Sequence, residues 1–120
     1  MAGPPPAPPE FEIERTEMQD GVVRLSLSGE LDLNTGFKLE RELRAVEETG
    51  AQVIVVDLRD LELLDSTGLA KLVAAHRRAV AGGWRLAVVR GGRLVETVLK
   101  TTRLDGYLDV ISDPLEALPA

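Results

Sequence analysis

The sequence predicts an α/β domain built on a mixed sheet of about five strands, with three to four helices. Asp20-Gly21 joins two runs with the pattern of strands, which is typical of a β-hairpin. Val53-Ile54-Val55-Val56 is an uninterrupted β-branched run, typical of a strand covered on both faces. After the hairpin, helical periodicity alternates with strand-like runs, so we expect right-handed crossovers and parallel strands.

The start of the chain is predicted to form the hairpin and a first helix. The hairpin strands span 11–17 and 22–28, and the second alternates between apolar and polar residues. The polar loop 29–35 follows, and within it Asn34 or Thr35 is of a type that caps the next helix. This helix is predicted to extend to about residue 48. Its apolar face comprises Leu39, Leu43 and Val46.

Two strand–helix units and a last strand are predicted to complete the domain. The strand 53–58 leads into a helix over 67–81, and the strand 84–89 leads into a third helix after Gly91-Gly92. A short strand over 108–111 precedes a terminal helical turn. The predicted apolar stripes are Leu69, Leu72, Val73 and Val80 in the second helix and Leu94, Val95, Val98 and Leu99 in the third.

Length and composition predict one soluble domain. The chain has 120 residues, 44% of them hydrophobic and 28% charged, as in ordinary globular proteins. We expect a disordered proline-rich tail over 1–10 and a folded domain over 11–118. The start does not have the pattern of a signal peptide, and no apolar run approaches the ~20 residues that cross a bilayer. We therefore expect a cytoplasmic protein with no membrane partner.

Charge and residue usage disfavour several functional classes. The net charge of −6 opposes binding to phosphate backbones, and the four scattered aromatic residues form no evident stacking platform, so we expect no direct nucleic-acid partner. With one histidine and no cysteine, the chain is not expected to hold a metal or another cofactor.

Asp65-Ser66-Thr67-Gly68 lies where the buried strand gives way to the second helix. A helix start has unpaired N–H groups and a partial positive charge, so the fold tolerates an anion there. A phosphate adds a charge of about −1.5 to −2. The sequence therefore predicts Ser66 as a phosphorylation switch. The alternative is that these residues serve only as helix caps, since Asp, Ser and Thr are common in that role.

Catalytic roles for this segment are disfavoured. A serine nucleophile needs a nearby base, and the single histidine, His76, lies ten residues further along the same predicted helix, about 15 Å away. We expect His76 to be a packed or boundary residue. Asp57 and Asp65 near a strand end are similar to the phosphoacceptor region of response-regulator receivers, but the early strands lack the acidic pair of that family.

Three motifs resemble those of the STAS family, specifically the single-domain anti-sigma factor antagonists of bacteria. Gly29-Glu30-Leu31-Asp32 follows the second strand, as in that family, and Asp65-Ser66-Thr67-Gly68-Leu69 is similar to its switch motif. The segment 99–111 resembles its last helix and strand. The resemblance covers about residues 11–118 and implies a STAS-like sheet.

The resemblance also implies roles for individual residues. Ser66 matches the phosphoacceptor, Asp65 its acidic neighbour, and Asp32 the loop that joins the partner-binding surface. The implied partners are an anti-sigma factor that is also a serine kinase, using ATP and magnesium in its own active site, and a serine phosphatase. The implied partner-binding residues are Glu30, Asp32, Asn34, Thr35, Asp65, Ser66, Thr67 and Gly68.

The implied mechanism is partner switching. The unphosphorylated protein binds the kinase and frees a sigma factor, and phosphorylation of Ser66 ends the binding. Thr67 is a second hydroxyl that modification could reach. The alternative is a STAS adaptor without a phosphate cycle, as in stressosomes or in accessory subunits of lipid transporters. The sequence leaves the oligomeric state open.

Overall fold

We describe residues 3–4 and 10–119 of a computed structural model of the chain. The disordered tail predicted over 1–10 therefore lies almost entirely outside the described residues, and it stays a prediction. Across the described ranges, no helix combines the length and the apolar character that a membrane crossing requires.

The described residues form a single mixed sheet of five strands: β1 (Glu12–Gln19), β2 (Val22–Leu31), β3 (Val53–Leu64), β4 (Arg85–Val89) and β5 (Asp109–Ile111). The strands lie in the sheet in this same order. β1 pairs with β2 in antiparallel fashion, and the three remaining neighbouring pairs are parallel. The turn at Asp20-Gly21, with Gly21 at a φ of 80°, connects the first two strands. The predicted fold class and hairpin are confirmed.

Three α-helices provide the crossovers between parallel strands and bury their apolar stripes in the main core. Two short 3₁₀ helices flank β5, and the second, Pro114–Ala117, lies near the end of the chain as the predicted terminal turn. A smaller core, made by the other sheet face and this 3₁₀ helix, includes Val55, Val89 and Ala117. The helices are α1 (Gly36–Glu48), α2 (Ser66–Gly82) and α3 (Arg93–Thr101).

β2 and β3 both extend further than predicted. Their pairing continues to Leu31 and Leu64, whereas β3 pairs with β4 only as far as Asp57. The predicted end of β3 near residue 58 is wrong because the exposed Arg59, Asp60 and Glu62 interrupt the apolar run without ending the strand. The extension places Glu30 in β2 rather than in a loop, and it brings the end of β3 to within one residue of α2.

Two predicted core residues are at the surface. The side chains of Val80 and Leu94 are 71% and 64% exposed, and the buried positions of α2 include Ala75 and Ala79 instead. Leu69 and Leu72 of the predicted stripe are buried as expected, but towards the end of α2 the small Ala79 rather than Val80 faces the core. The predicted face of α1 is confirmed, since Leu39, Leu43 and Val46 are buried.

Candidate functional site

Ser66 is the first residue of α2, and its side chain is exposed. It lies directly after Asp65, which separates the helix from the end of β3. The predicted surface position of Ser66 is therefore confirmed. Because the first turn of a helix has unpaired N–H groups, a negative charge at this position is favoured by the backbone.

The carboxylate of Asp65 joins two segments of the chain. Its Oδ1 atom accepts a hydrogen bond of 3.0 Å from the backbone N–H of Gly68 and so caps α2. Its Oδ2 atom accepts one of 3.1 Å from the N–H of Leu33, which lies between β2 and α1. The backbone N–H of Asp65 also donates to the carbonyl oxygen of Leu31. Asp65 is thus both a helix cap and a link between two loops.

The segment before α1 is held by its own polar residues. Thr35 Oγ1 accepts from the N–H of Asp32 at 2.9 Å and donates to the carbonyl oxygen of Glu30 at 2.8 Å. Asp32 Oδ1 accepts from the N–H of Asn34 at 2.9 Å. The prediction that Asn34 or Thr35 caps α1 is wrong: Thr35 holds the N-cap position but makes no side-chain capping bond, because its hydroxyl is used within the loop.

The starts of α1 and α2 lie against each other. A Cβ atom placed on Gly36 would lie 3.4 Å from the Thr67 methyl carbon, which is close contact. Lys71 of α2 forms an ion pair with Glu40 of α1, and the hydrogen bond from Lys71 holds the pKa of Glu40 below its usual value. The two helix starts therefore form one continuous surface around Ser66.

Exposed apolar side chains belong to the same region, and the sequence analysis missed them. Leu33, whose N–H binds Asp65, is 75% exposed, and Phe37 in the first turn of α1 is 52% exposed. Leu63, two residues before Asp65, is also partly exposed. The sequence could have indicated these exposed apolar residues, since Leu33 and Phe37 are the two apolar side chains in the polar segment 32–38.

The predicted partner-binding residues come together as one edge of the molecule. Hydrogen bonds connect Asp32 and Thr35 to each other, and Asp65 connects their loop to α2. Glu30 and Asn34 are exposed beside them, and Thr67 is half-buried. We call this surface the Ser66 edge; it comprises Glu30, Asp32, Leu33, Asn34, Thr35, Phe37, Leu63, Asp65, Ser66 and Thr67. Gly68, also predicted to bind the partner, is instead buried beneath the edge.

The Ser66 edge lies apart from the cavities identified among the described residues. Within the described part of the chain, Ser66 lines none of the three cavities found, and one of about 410 Å³ borders the hairpin turn and the loop before β3. No group of three His, Cys, Asp or Glu residues among the described ones is arranged to hold a metal. His76 is half-buried, in edge contact with Tyr107 at 5.0 Å between ring centroids, as expected of a boundary residue.

Comparison with known proteins gives consistent results. The family described as Mlab, STAS domain, matches residues 14–112. The anti-sigma-F factor antagonist RsfB of Mycobacterium tuberculosis is 31% identical over 99 residues, which is 82% of this chain and 80% of RsfB.

Solved structures agree with the fold. An anti-sigma factor antagonist from Mycobacterium paratuberculosis superimposes with a TM-score of 0.82 at 28% identity, covering 92% of this chain and 93% of that one. SpoIIAA in its unphosphorylated form gives 0.70 at 20% identity, covering 87% and 90% of the two chains. The phosphorylated form of SpoIIAA, from Bacillus, gives 0.65 at 19%, covering 87% and 93%. The chain therefore belongs to the STAS domain family, among the anti-sigma factor antagonists.

Proposed function

We propose that this protein releases a sigma factor by partner switching controlled at Ser66. Unphosphorylated, it binds an anti-sigma factor that is a serine kinase; phosphorylated on Ser66, it dissociates, and a serine phosphatase restores the free hydroxyl. On this proposal the protein acts in the cytoplasm. The observation that carries it is the exposed hydroxyl at the start of α2, set beside exposed apolar side chains.

The shape and chemistry of the Ser66 edge favour a protein as partner. Large apolar residues that are more than half exposed, such as Leu33 and Phe37, form the kind of surface that marks a protein-interaction site. A small molecule would instead need a concave pocket, and Ser66 lines none of the cavities found among the described residues. The edge is therefore suited to docking on the surface of another protein.

Electrostatics explain how a phosphate would end the binding. In the free protein, the start of α2 stabilises an anion on Ser66 by roughly 0.3–1 kcal/mol. In a closed interface, the same charge is desolvated and lies beside the carboxylate of Asp65. A penalty of about 3 kcal/mol weakens binding more than a hundredfold. The switch then needs no rearrangement of the fold.

The relatives support the same reading. RsfB is named as an antagonist of an anti-sigma-F factor, and SpoIIAA has been solved in both unphosphorylated and phosphorylated forms. Transfer of the phosphate cycle to Ser66 of this chain is the part of the proposal that an experiment has to establish.

The experiment incubates the chain with each anti-sigma kinase of its source organism and ATP. We expect intact mass to show one added phosphate on the wild type and on Ser112→Ala, and none on Ser66→Ala. Ser112 is a matched control because it is an exposed serine that directly follows β5 and is not part of a helix start. We also expect Ser66→Asp to bind the kinase at least a hundredfold more weakly than Ser66→Ala.

Two results would contradict the proposal. Phosphate that persists on Ser66→Ala would assign the modification to another residue, with Thr67→Val as the next variant to compare. Complete absence of phosphate with every kinase, together with equal binding of Ser66→Ala and Ser66→Asp, would favour the STAS adaptor without a phosphate cycle.

A further inference from the structure

We propose that Asp65 is a positioning residue that transmits the phosphorylation state of Ser66 to Leu33. In this inference, which rests on the proposed function, Asp65 holds Leu33 in its binding position while Ser66 is unmodified. A phosphate on Ser66 displaces the carboxylate and releases Leu33. The switch then withdraws an apolar contact from the interface in addition to introducing a repulsive charge.

The first step is that the two carboxylate oxygens of Asp65 accept hydrogen bonds from different segments of the chain. Oδ1 accepts from Gly68, three residues away in the same helix, and this bond is an ordinary N-cap. Oδ2 accepts from Leu33, which is 32 residues distant in sequence, and helix capping does not require that second bond. The carboxylate therefore accepts a second hydrogen bond, from Leu33, which a serine or asparagine that caps α2 with its single oxygen could not accept at the same time.

The second step is that the carboxylate of Asp65 is the side-chain link between Leu33 and α2. The side chain of Leu33 is 75% exposed, so packing contributes little to its position. The polar contacts of Asp32, Asn34 and Thr35 lie within the loop itself. Among the described residues, two hydrogen bonds join this segment to Asp65: the backbone N–H of Asp65 donates to the carbonyl oxygen of Leu31 at the end of β2, and its carboxylate accepts from Leu33. Of the two, the bond from Leu33 is the one that a movement of the Asp65 side chain breaks.

The third step is the effect of a phosphate on the neighbouring residue. A dianion on Ser66 repels the carboxylate of Asp65, which adjoins it in the chain. The phosphate oxygens also compete for the N–H groups of the first turn, including the one that Oδ1 now accepts. When the carboxylate turns away, the hydrogen bond from the N–H of Leu33 to Oδ2 is broken, and the loop that presents this exposed leucine is no longer held to Asp65 by its side chain.

The test measures amide hydrogen exchange at Leu33 and Gly68 by NMR, with phosphoserine installed at position 66 during translation so that no kinase is needed. We expect phosphoserine to accelerate exchange at Leu33 about tenfold, as for the loss of one hydrogen bond to a charged group. Asp65→Asn should have the same effect on Leu33 and leave Gly68 protected, because its amide oxygen still caps α2. Phosphoserine added to Asp65→Asn should change Leu33 no further.

A matched control is Asp113→Asn, which alters the capping aspartate of the C-terminal 3₁₀ helix and should leave Leu33 unchanged. If Asp65→Asn accelerates amide exchange at Leu33 but phosphoserine does not, phosphorylation of Ser66 does not break this hydrogen bond, and the inference is wrong. If neither accelerates it, the bond does not hold Leu33, and the inference is again wrong. Failure of the proposed function has a different signature: the two forms of Ser66 bind every anti-sigma kinase equally, whatever the exchange rates.

Discussion

Gly68 lies in the first turn of α2, against the ends of β2 and β3. A Cβ atom added there would come within 2.7 Å of Leu31 Cγ and 2.9 Å of Leu64 Cδ1, closer than non-bonded carbons approach. Its N–H is the donor that Asp65 caps. Glycine in this motif is therefore explained by packing beneath the Ser66 edge rather than by backbone freedom, since its conformation is helical.

We expect Gly68→Ala to destabilise the protein by about 1–2 kcal/mol. The overpacking cost of roughly 1–3 kcal/mol exceeds the ~0.5–1 kcal/mol that alanine gains over glycine within a helix. Urea unfolding would measure it, with Gly106→Ala as the control, since nothing lies within 4 Å of that position. Equal stability of the two variants would show that the start of α2 is not tightly packed on the strands.

Cross-helix ion pairs fix α1 against α2 and so keep the two helix starts adjacent. Glu47 and Arg78 form a two-bond pair in which the side chains are 9% and 19% exposed. Hydrogen bonding to Glu47 raises the pKa of Arg78 above its usual value. By contrast, the pair between Arg15 and Glu42 is considerably more exposed.

We expect Arg78→Met to destabilise the protein by about 2–3 kcal/mol, because it leaves the carboxylate of Glu47 largely buried without a partner. The loss is below the ~3–5 kcal/mol of a fully buried pair, since Arg78 retains some exposure. Arg15→Met, which breaks the exposed pair, should cost less than about 1 kcal/mol. Denaturant midpoints compare the two, and a similar loss in both would show that burial of the Glu47 pair adds nothing.

Hydrophobic patterning predicted the five strands and three α-helices of the described residues: β2 and the helices through their periodicity, and β3 and β4 through continuous apolar runs. It failed for the end of β3, where Arg59, Asp60 and Glu62 are exposed on an extension paired with β2. Only the partner strand reveals that such a polar stretch is still extended. The capping prediction for Thr35 failed for a different reason. Its hydroxyl bonds within the loop instead of capping α1, and the residue type does not determine which of these partners it takes.

The part of the candidate site that is local in sequence was predictable, whereas the contact between distant segments was not. Asp65, Ser66 and Gly68 are adjacent in the chain, so their placement at a helix start follows from local pattern. The bond from Leu33 to Asp65 joins two segments through the parallel pairing of β2 with β3, and it depends on how far those strands extend. The sequence alone did not indicate that extension.

At the scale of the whole molecule, the two faces of the sheet are covered unequally. All three α-helices contribute to the main core on one face. On the other, the C-terminal 3₁₀ helix covers the apolar residues of the central and later strands. Asp113 and Glu116 cap this helix reciprocally, and Pro114 occupies its first position. This closing segment shields a second core that would otherwise be an exposed apolar patch.

Ala117 and Leu115 test this closure because they lie two residues apart on the same short helix with opposite exposure. Ala117 is buried in the second core, whereas the side chain of Leu115 is largely exposed. We expect Ala117→Asp to destabilise the protein by more than about 2 kcal/mol, since it buries an unpaired charge. Leu115→Asp should stay within about 0.5 kcal/mol in urea unfolding. Equal effects would mean that the chain end does not cover the sheet, and the face beneath it would then be a second interaction surface rather than a core.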